Sequence, residues 1–270
     1  MNRIQKNKTE LLILSVLSIC IMMLQYFQIH GQAIFFLDND DYIRVQRIRE
    51  FFTHHDWNNS IIIRGNYPYG ISLHWTRFYD LFLIIPSYLL SFFTQSIDRS
   101  LEYVCFWISP ILRVISSVIV LKIATNIMPK KSAFLTAVLF TSIPFISGYF
   151  AFGRPDHHAF MVLWILIYIS SLIELISQQK FPSIISHLKT ATTAAICIWI
   201  SPETLITILA SLGCLFFCAF NNIQRLKTLY LISLITSLFV GLIAFIPEQA
   251  SNTSFLLLIC SLWTLELLRK

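Results

Sequence analysis

Phe36-Leu37-Asp38-Asn39-Asp40-Asp41-Tyr42-Ile43-Arg44 stands shortly after the first long apolar run, Leu11 to Ile29. Three carboxylates within four residues are not hydrophobic packing, and like charges this close cost electrostatic energy unless a cation relieves them. A second acidic stretch, Gly153-Arg154-Pro155-Asp156-His157-His158, also sits at the end of an apolar run. Whether the two stretches share one side of a membrane decides both the fold and the chemistry.

The chain around them is 270 residues long, 56% hydrophobic and 13% charged, with 23 Phe. A soluble core has no use for so much apolar surface, so the expected fold class is an all-α polytopic membrane helix bundle. The net charge of +6 does not point to nucleic acid, because most Lys and Arg lie in short loops between apolar runs, where they set orientation. Cys20, Cys105, Cys197, Cys214, Cys218 and Cys260 all fall in apolar stretches without a CxxC pair, so neither a disulfide framework nor a thiolate zinc site is suggested. The first apolar run follows Arg3, Lys6 and Lys8. It is too long for the core of a signal peptide and lacks a small-residue cleavage site, so it reads as a retained helix with a cytoplasmic N-terminus.

On that orientation the stretch from His30 to about Glu102 is one long external loop. Asp40 or Asp41 is expected to cap a short helix from Tyr42 to Phe52, with Val45, Ile48 and Phe52 at helical spacing on an amphipathic element at the membrane surface. Asp38 reads as too far upstream to cap it. Trp57 to Arg77 mixes turn formers, aromatics and polar side chains, including His74, Trp75 and Arg77. Such a mixture suits a sugar or head-group surface, and equally an interfacial aromatic belt. Phe78 to Ile97 is apolar enough to span. The positive-inside rule instead favours a re-entrant or interfacial segment, in keeping with Asp80 near its start and Pro86 within it.

The remaining spans are then Tyr103 to Thr125, Ser132 to Phe152, Ala159 to Ser177, a pair over Thr190 to Ile200 and Thr204 to Phe220, Leu229 to Ile246, and Phe255 to Leu268. One long helix from Thr190 to Phe220 is the alternative to the pair. Both acidic stretches, Glu203 and Glu248 fall on the outer face, and the chain reads as a single membrane domain, 1–270.

Acidic groups facing the same water suit a divalent cation, Mg²⁺ or Mn²⁺, which prefers oxygen ligands, admits imidazole in the manganese case, and commonly shares its shell with substrate phosphate. Asp38 and Asp40 fit such ligation, and Asp156 with His158 would complete the shell. For Asp40 and Asp41, plain N-capping is an equal reading. Arg154 fits an anionic head group or an interfacial anchor. Arg113 lies in mid-span, where an unpaired cation costs at least about 2.5 to 3.5 kcal/mol on insertion scales, so it must face a partner or a wet cavity. A lipid phosphate and a buried salt bridge are both open. Glu203, after Pro202 at an outer turn, is a candidate general base, or an ordinary carboxylate at a helix N-terminus. Cys214 and Cys218 share a helix face and read as core.

In this order the motifs resemble the GT-C superfamily of membrane glycosyltransferases, and most closely the N-terminal transmembrane part of the oligosaccharyltransferase catalytic subunit. Asp38-Asn39-Asp40-Asp41-Tyr42-Ile43-Arg44 is similar to that family's first acidic motif with its Tyr/Arg helix. Tyr67-Pro68-Tyr69-Gly70 is similar to its aromatic-Pro-x-Gly element, and Val104 to Pro110 and Ser142 to Gly148 resemble its next helices. Gly153-Arg154-Pro155-Asp156-His157-His158 occupies the place of its second motif. The resemblance covers about Phe35 to Phe160. It implies a sugar donor on a polyprenyl phosphate or pyrophosphate, with Asp38 as the catalytic, metal-linked carboxylate and Asp156 and His158 as further metal ligands. Together with the reading of the residues themselves, the candidate site is catalytic Asp38, Asp40 and Glu203, metal ligands Asp38, Asp156 and His158, and a substrate-binding set of Arg44, Arg77, Arg113, Arg154, His74 and Trp75.

His158 stands where the family usually carries an acid, and neither the WWDYG acceptor motif nor the large soluble C-terminal domain is present in the sequence. The spans number about as many as the front part of such enzymes contains, which suggests a longer GT-C fold with a C-terminal partner chain if the gene is split. The expected location is a bacterial inner (cytoplasmic) membrane, with the site on the periplasmic, external face. The rival readings are a transporter or flippase-like protein using Arg113 and the outer carboxylates, and a truncated, inactive GT-C remnant.

Overall fold

The computed structural model describes residues 8–29, 34–59, 61–73, 75–178, 182–219 and 223–240. His74, Glu248, the Phe255 to Leu268 span and the last part of the Leu229 to Ile246 span lie outside the described residues. The chain forms two compact units, Met1–Leu163 and Trp164–Lys270.

In the first unit, α1 covers Lys8–Ile29 and α2 covers Asn39–His54. The residue that starts α2 is Asp38. It takes an extended backbone at φ −140° and ψ 179°, and its side chain accepts from Asp41 N while the Asp41 side chain accepts from Asp38 N. This reciprocal cap satisfies two amide donors at the helix entrance. It corrects the expectation that Asp40 or Asp41 caps a helix beginning at Tyr42. The helix winds three residues further upstream, because the Asp38 carboxylate reaches the orphan amides itself. α2 ends at His55, in the left-handed region at φ 55°.

A short antiparallel hairpin follows, β1 (Ile61–Ile62) and β2 (Ile71–Ser72), pairing Ile61 with Ser72 and Ile62 with Ile71. Helix α3 (Phe78–Thr94) then closes through Gln95, at φ 57°, directly into Ser96, whose hydroxyl caps α4 (Ile97–Ile127) by accepting from Arg99 N at 3.3 Å. α4 therefore begins six residues before the expected Tyr103, since Ser96 supplies the cap. Its 31 residues reach about 46 Å at 1.5 Å per residue.

The expected span from Ser132 to Phe152 is broken into α5 (Lys130–Ser142) and α6 (Pro144–Tyr149). Ile143, extended at φ −66° and ψ 122°, is held out of the helical region by the proline after it. α7 begins at His157 and runs to Ile176. Within this unit α4 is the hub, packing against α3, α5 and α1. Its buried face mixes Leu101, Cys105 and Leu112 with Ser109, Ser116 and Ser117, small side chains that let helices approach closely. α3 buries Tyr79, Leu83 and Ser87 and leaves Ile85, Leu89, Phe92 and Phe93 exposed, one apolar face turned outward.

The second unit holds α8 (Ile184–Ile200), α9 (Thr204–Ala219) and α10 (Ile223–Val240) with the later part of α7. Tyr168, Leu172, Ala194, Ala195, Ile208 and Ile232 share its core, and Tyr168 Oη lies 2.7 Å from Ser211 Oγ. Ser201-Pro202-Glu203 separates α8 from α9, so the paired arrangement holds and the single long helix does not. By length and composition α4 and α7 are able to cross a membrane, and α1, α3, α8, α9 and α10 contain shorter apolar stretches. The class is all-α, a helix bundle of membrane character.

Candidate functional site

The two acidic stretches meet in the first unit, and a glycine lets them. Gly153 has φ +69°, and a Cβ there would lie 2.2 Å from the carbonyl oxygen of Phe35. Only glycine leaves room for the backbone entering the first motif. Leu37 N donates to Gly153 O at 3.2 Å, and Gly153 N donates to Phe106 O at 3.0 Å, so the loop before α2, the turn before α7 and helix α4 are stitched together by main chain. Ser109 on α4 adds a hydroxyl hydrogen bond to the carbonyl of Arg154.

The side chains complete the junction. Asp156 N donates to Asp41 Oδ1 at 3.1 Å, and Arg154 Nη2 approaches Asp38 Oδ2 at 3.3 Å while its Nη1 donates to Gly148 O at 3.3 Å. Asp156 is buried just before α7, where the positive end of the helix favours a carboxylate. Its Oδ1 lies 2.7 Å from His157 N and 2.7 Å from His157 Nδ1, and its Oδ2 contacts His158 Nδ1. His157 Nδ1 also lies 3.3 Å from Arg44 Nη2. Protonated it donates to the carboxylate, and unprotonated it accepts from the guanidinium. The His158 ring stacks on Tyr149 at 5.3 Å and 22°.

Burial works against the charge of Asp156, but hydrogen bonds from His157 and His158 and the positive charge of Arg44 outweigh it and hold the carboxyl well below the usual range. Asp41 goes the other way. Burial first, and then the neighbouring Asp38 charge, push it up to about 7.

Asp156, His157 and His158 each offer a ligand atom, all within 4.8 Å of one another. This oxygen and nitrogen set fits a borderline divalent cation. His157 is the member not singled out as a ligand from sequence. Asp38 stands beside this cluster, 43% exposed at its side chain, joined to it through Arg154 and Asp41. Asp40 is exposed in the first turn of α2.

The expected substrate-binding arginines divide sharply. Arg44 is 1% exposed and pairs with Asp80 at 2.8 Å. Arg77 is buried and meets Asp80 at 3.4 Å, donating also to Asn59 O at 2.5 Å. Arg113 is fully buried and hydrogen-bonds two neutral partners, Gln25 Oε1 at 2.7 Å and Ser147 Oγ at 2.5 Å. Arg154, 24% exposed, is the one of the four open to solvent. Trp75 is half-buried, with Arg44 4.6 Å above its ring. Glu203 is exposed at the start of α9, in the second unit. In the sequence Asp80 marks topology alone. A carboxylate inside an apolar stretch was the signal for more, since such a group needs partners.

The architecture is a helix bundle of membrane character whose first loop closes on a second acidic turn. No protein-family model matches the chain. In sequence it is similar to two Dolichyl-phosphooligosaccharide-protein glycotransferases of Archaeoglobus fulgidus. Glycotransferase 2 is 26% identical over 164 residues, 60% of this chain and 26% of that protein. Glycotransferase 1 is 22% identical over 161 residues, 59% of this chain and 26% of that protein. The chain thus spans about a quarter of the length of these curated relatives.

Solved structures share its fold. The apo oligosaccharyltransferase of Archaeoglobus fulgidus superposes with a TM-score of 0.76 at 17% identity, over 98% of this chain and 33% of that one. The oligosaccharyltransferase AglB of the same organism, in complex with an inhibitory peptide and a dolichol-phosphate, gives 0.74 at 19% identity, over 96% and 32%. A third, a complex with zinc and sulfate, gives 0.73 at 18% identity, over 95% and 34%. Across the part it spans, the chain is similar in sequence to the two archaeal glycotransferases and in fold to the archaeal oligosaccharyltransferase structures.

Proposed function

We propose that the chain forms the donor-side part of a glycosyltransferase that moves a sugar from a polyprenyl-phosphate or polyprenyl-pyrophosphate carrier to a lipid, glycan or protein acceptor at the external face of its membrane. The observation that carries this reading is the junction of the two acidic stretches, in which Asp156 N bonds Asp41 and Arg154 meets Asp38. The dolichol-phosphate held by a structural relative supports a polyprenyl-linked donor for this chain. The matched relatives are archaeal, which lends the bacterial inner membrane no support.

In the reaction, an acceptor nucleophile attacks the anomeric carbon of the sugar, the bond from that carbon to the phosphate oxygen breaks, and the acceptor proton passes to a base. Asp156 and His158, with Asp38, would hold a divalent cation such as Mg²⁺ or Mn²⁺, which supplies charge neutralisation of the departing phosphate. Arg154, partly exposed beside Asp38, would supply positive charge to the donor phosphate. Asp38 and Asp40 orient the acceptor. Arg44 and Arg77, buried against Asp80, shape the site from behind.

The test is transfer from a radiolabelled polyprenyl-phosphate sugar by the full chain in lipid nanodiscs. Asp38→Ala and Asp156→Ala are expected to lower transfer at least about 100-fold, the scale of losing a group that stabilises charge in the transition state. Undiminished transfer in Asp38→Ala, or none from the wild type with any acceptor class, overturns the proposal.

A further inference from the structure

Asp80 is fully buried in the first turn of α3, facing three guanidiniums: Arg44 Nη1 at 2.8 Å, Arg47 Nε at 3.4 Å and Arg77 Nη1 at 3.4 Å. A buried carboxylate that only needed neutralising would be served by one arginine gripping it with both arms. Arg44 gives it one arm. The other, Nη2, faces His157 Nδ1 at 3.3 Å and Asp156 Oδ1 at 3.7 Å.

The guanidinium is planar and rigid, and here it is held over the rings of Trp75 at 4.6 Å and Tyr79 at 5.2 Å. With one arm fixed on Asp80, the place of the second is set. From these contacts we infer that Asp80 is a positioning residue for the Asp156–His157–His158 cluster. It draws the Arg44 charge onto itself and so leaves Asp156 available to a divalent cation. The inference rests on the reading of Asp156 and His158 as cation ligands.

The physical logic is a competition between two cations for one carboxylate. Arg44 is closer to Asp80, at 2.8 Å, than to Asp156, at 3.7 Å, and the nearer charge takes more of the interaction. Without the Asp80 charge, Asp156 is the one carboxylate left within ion-pair distance of Arg44 among the described residues, and Arg44 then occupies the oxygen that a metal needs. Groups that orient metal ligands from behind typically change affinity about 10- to 100-fold when altered. The location of Asp80 and Arg44 on α3 and α2, rather than on the turn that carries the ligands, makes the metal site depend on how those two helices pack.

The experiment is Mn²⁺ titration of the purified full chain, read by electron paramagnetic resonance as free against bound ion, independently of any transfer activity. Wild type is expected to bind and Asp156→Ala to abolish binding. Asp80→Asn should weaken binding about 10- to 100-fold. The double variant Asp80→Asn/Arg44→Gln should recover most of that loss, because the competing charge is gone; a merely structural role for Asp80 predicts a double variant no better than the single one.

If Asp80→Asn does not fold, Arg44→Gln alone decides, since it should bind Mn²⁺ at least as tightly as wild type, and a tenfold loss overturns the inference. Wild-type affinity in Asp80→Asn, or a double variant as weak as the single one, also overturns it while the cation reading stands. Binding that survives in Asp156→Ala, or is absent from wild type, removes the cation reading and the inference together.

Discussion

Asp38 holds two positions that ordinary mutagenesis confuses, the cap of α2 and the carboxylate beside Arg154. Replacing a capping aspartate by alanine costs about 0.5 to 2 kcal/mol, whereas serine retains the cap. Asp38→Ser is therefore expected to melt within about 0.5 kcal/mol of wild type by circular dichroism and yet to lose transfer as fully as Asp38→Ala. Transfer that survives in the serine variant assigns Asp38 to the cap alone.

Asp41 offers a separate handle. Its carboxyl is raised from an ordinary 3.8 to about 7, so the folded chain holds this proton more tightly than the unfolded one. That contribution to stability is whole below 3.8 and is lost as the pH rises to about 7. Thermal melts of the chelator-treated protein should fall across this window, and Asp41→Asn, which stays neutral, should flatten the fall. An unchanged slope in Asp41→Asn rules the assignment out. The carboxylates and imidazoles themselves were legible in the sequence, because charge at the end of an apolar run has no bland explanation. Asp38's cap was not, since a helix start is shifted by one side chain choosing an amide, and His157 as a third ligand needed the turn to fold before its ring could be placed.

At the level of elements, the junction depends on Gly153. Its positive φ and the 2.2 Å approach to Phe35 O leave no place for a side chain, so Gly153→Ala should destabilise the fold by more than about 1 kcal/mol. It should also disturb both acidic stretches at once, measured as accelerated proteolysis of the loop before α2 together with lost transfer. A Gly153→Ala chain that melts like wild type would mean that the stitching of Leu37 to Gly153 is dispensable.

The turn at Ser201-Pro202-Glu203 and the helix of α7 were legible from apolar periodicity and breaker residues. The early start of α4 and the break at Ile143 were less so. Both are set by local chemistry, a serine hydroxyl capping well ahead of the expected start at Tyr103 and a proline that forbids helical backbone just before it.

For the whole molecule the open expectation is sidedness. α3 has 17 residues, short of the roughly 20 that cross a bilayer upright, and it folds back at once into α4. If α3 lies in the interface, Ser96 faces the same side as Asp40. In a background freed of native cysteines, Asp40→Cys and Ser96→Cys should then react with a membrane-impermeant maleimide added from the same side of intact cells. Labelling from opposite sides would separate the acidic loop from the start of α4 by a full crossing. Composition alone made the membrane character legible, because more than half the residues are hydrophobic. The division into two compact units was not, since a run of similar apolar helices carries no mark of which neighbours each will choose.

Trp75 lies 6.2 Å from His157 and 4.6 Å from the guanidinium of Arg44. Indole emission is quenched by nearby imidazolium and by paramagnetic ions, and it shifts with the local field. The ring is therefore placed as a lamp beside the cluster, and an event that turns His157 or draws Arg44 away from Asp80 changes the light the protein gives off, with no label attached.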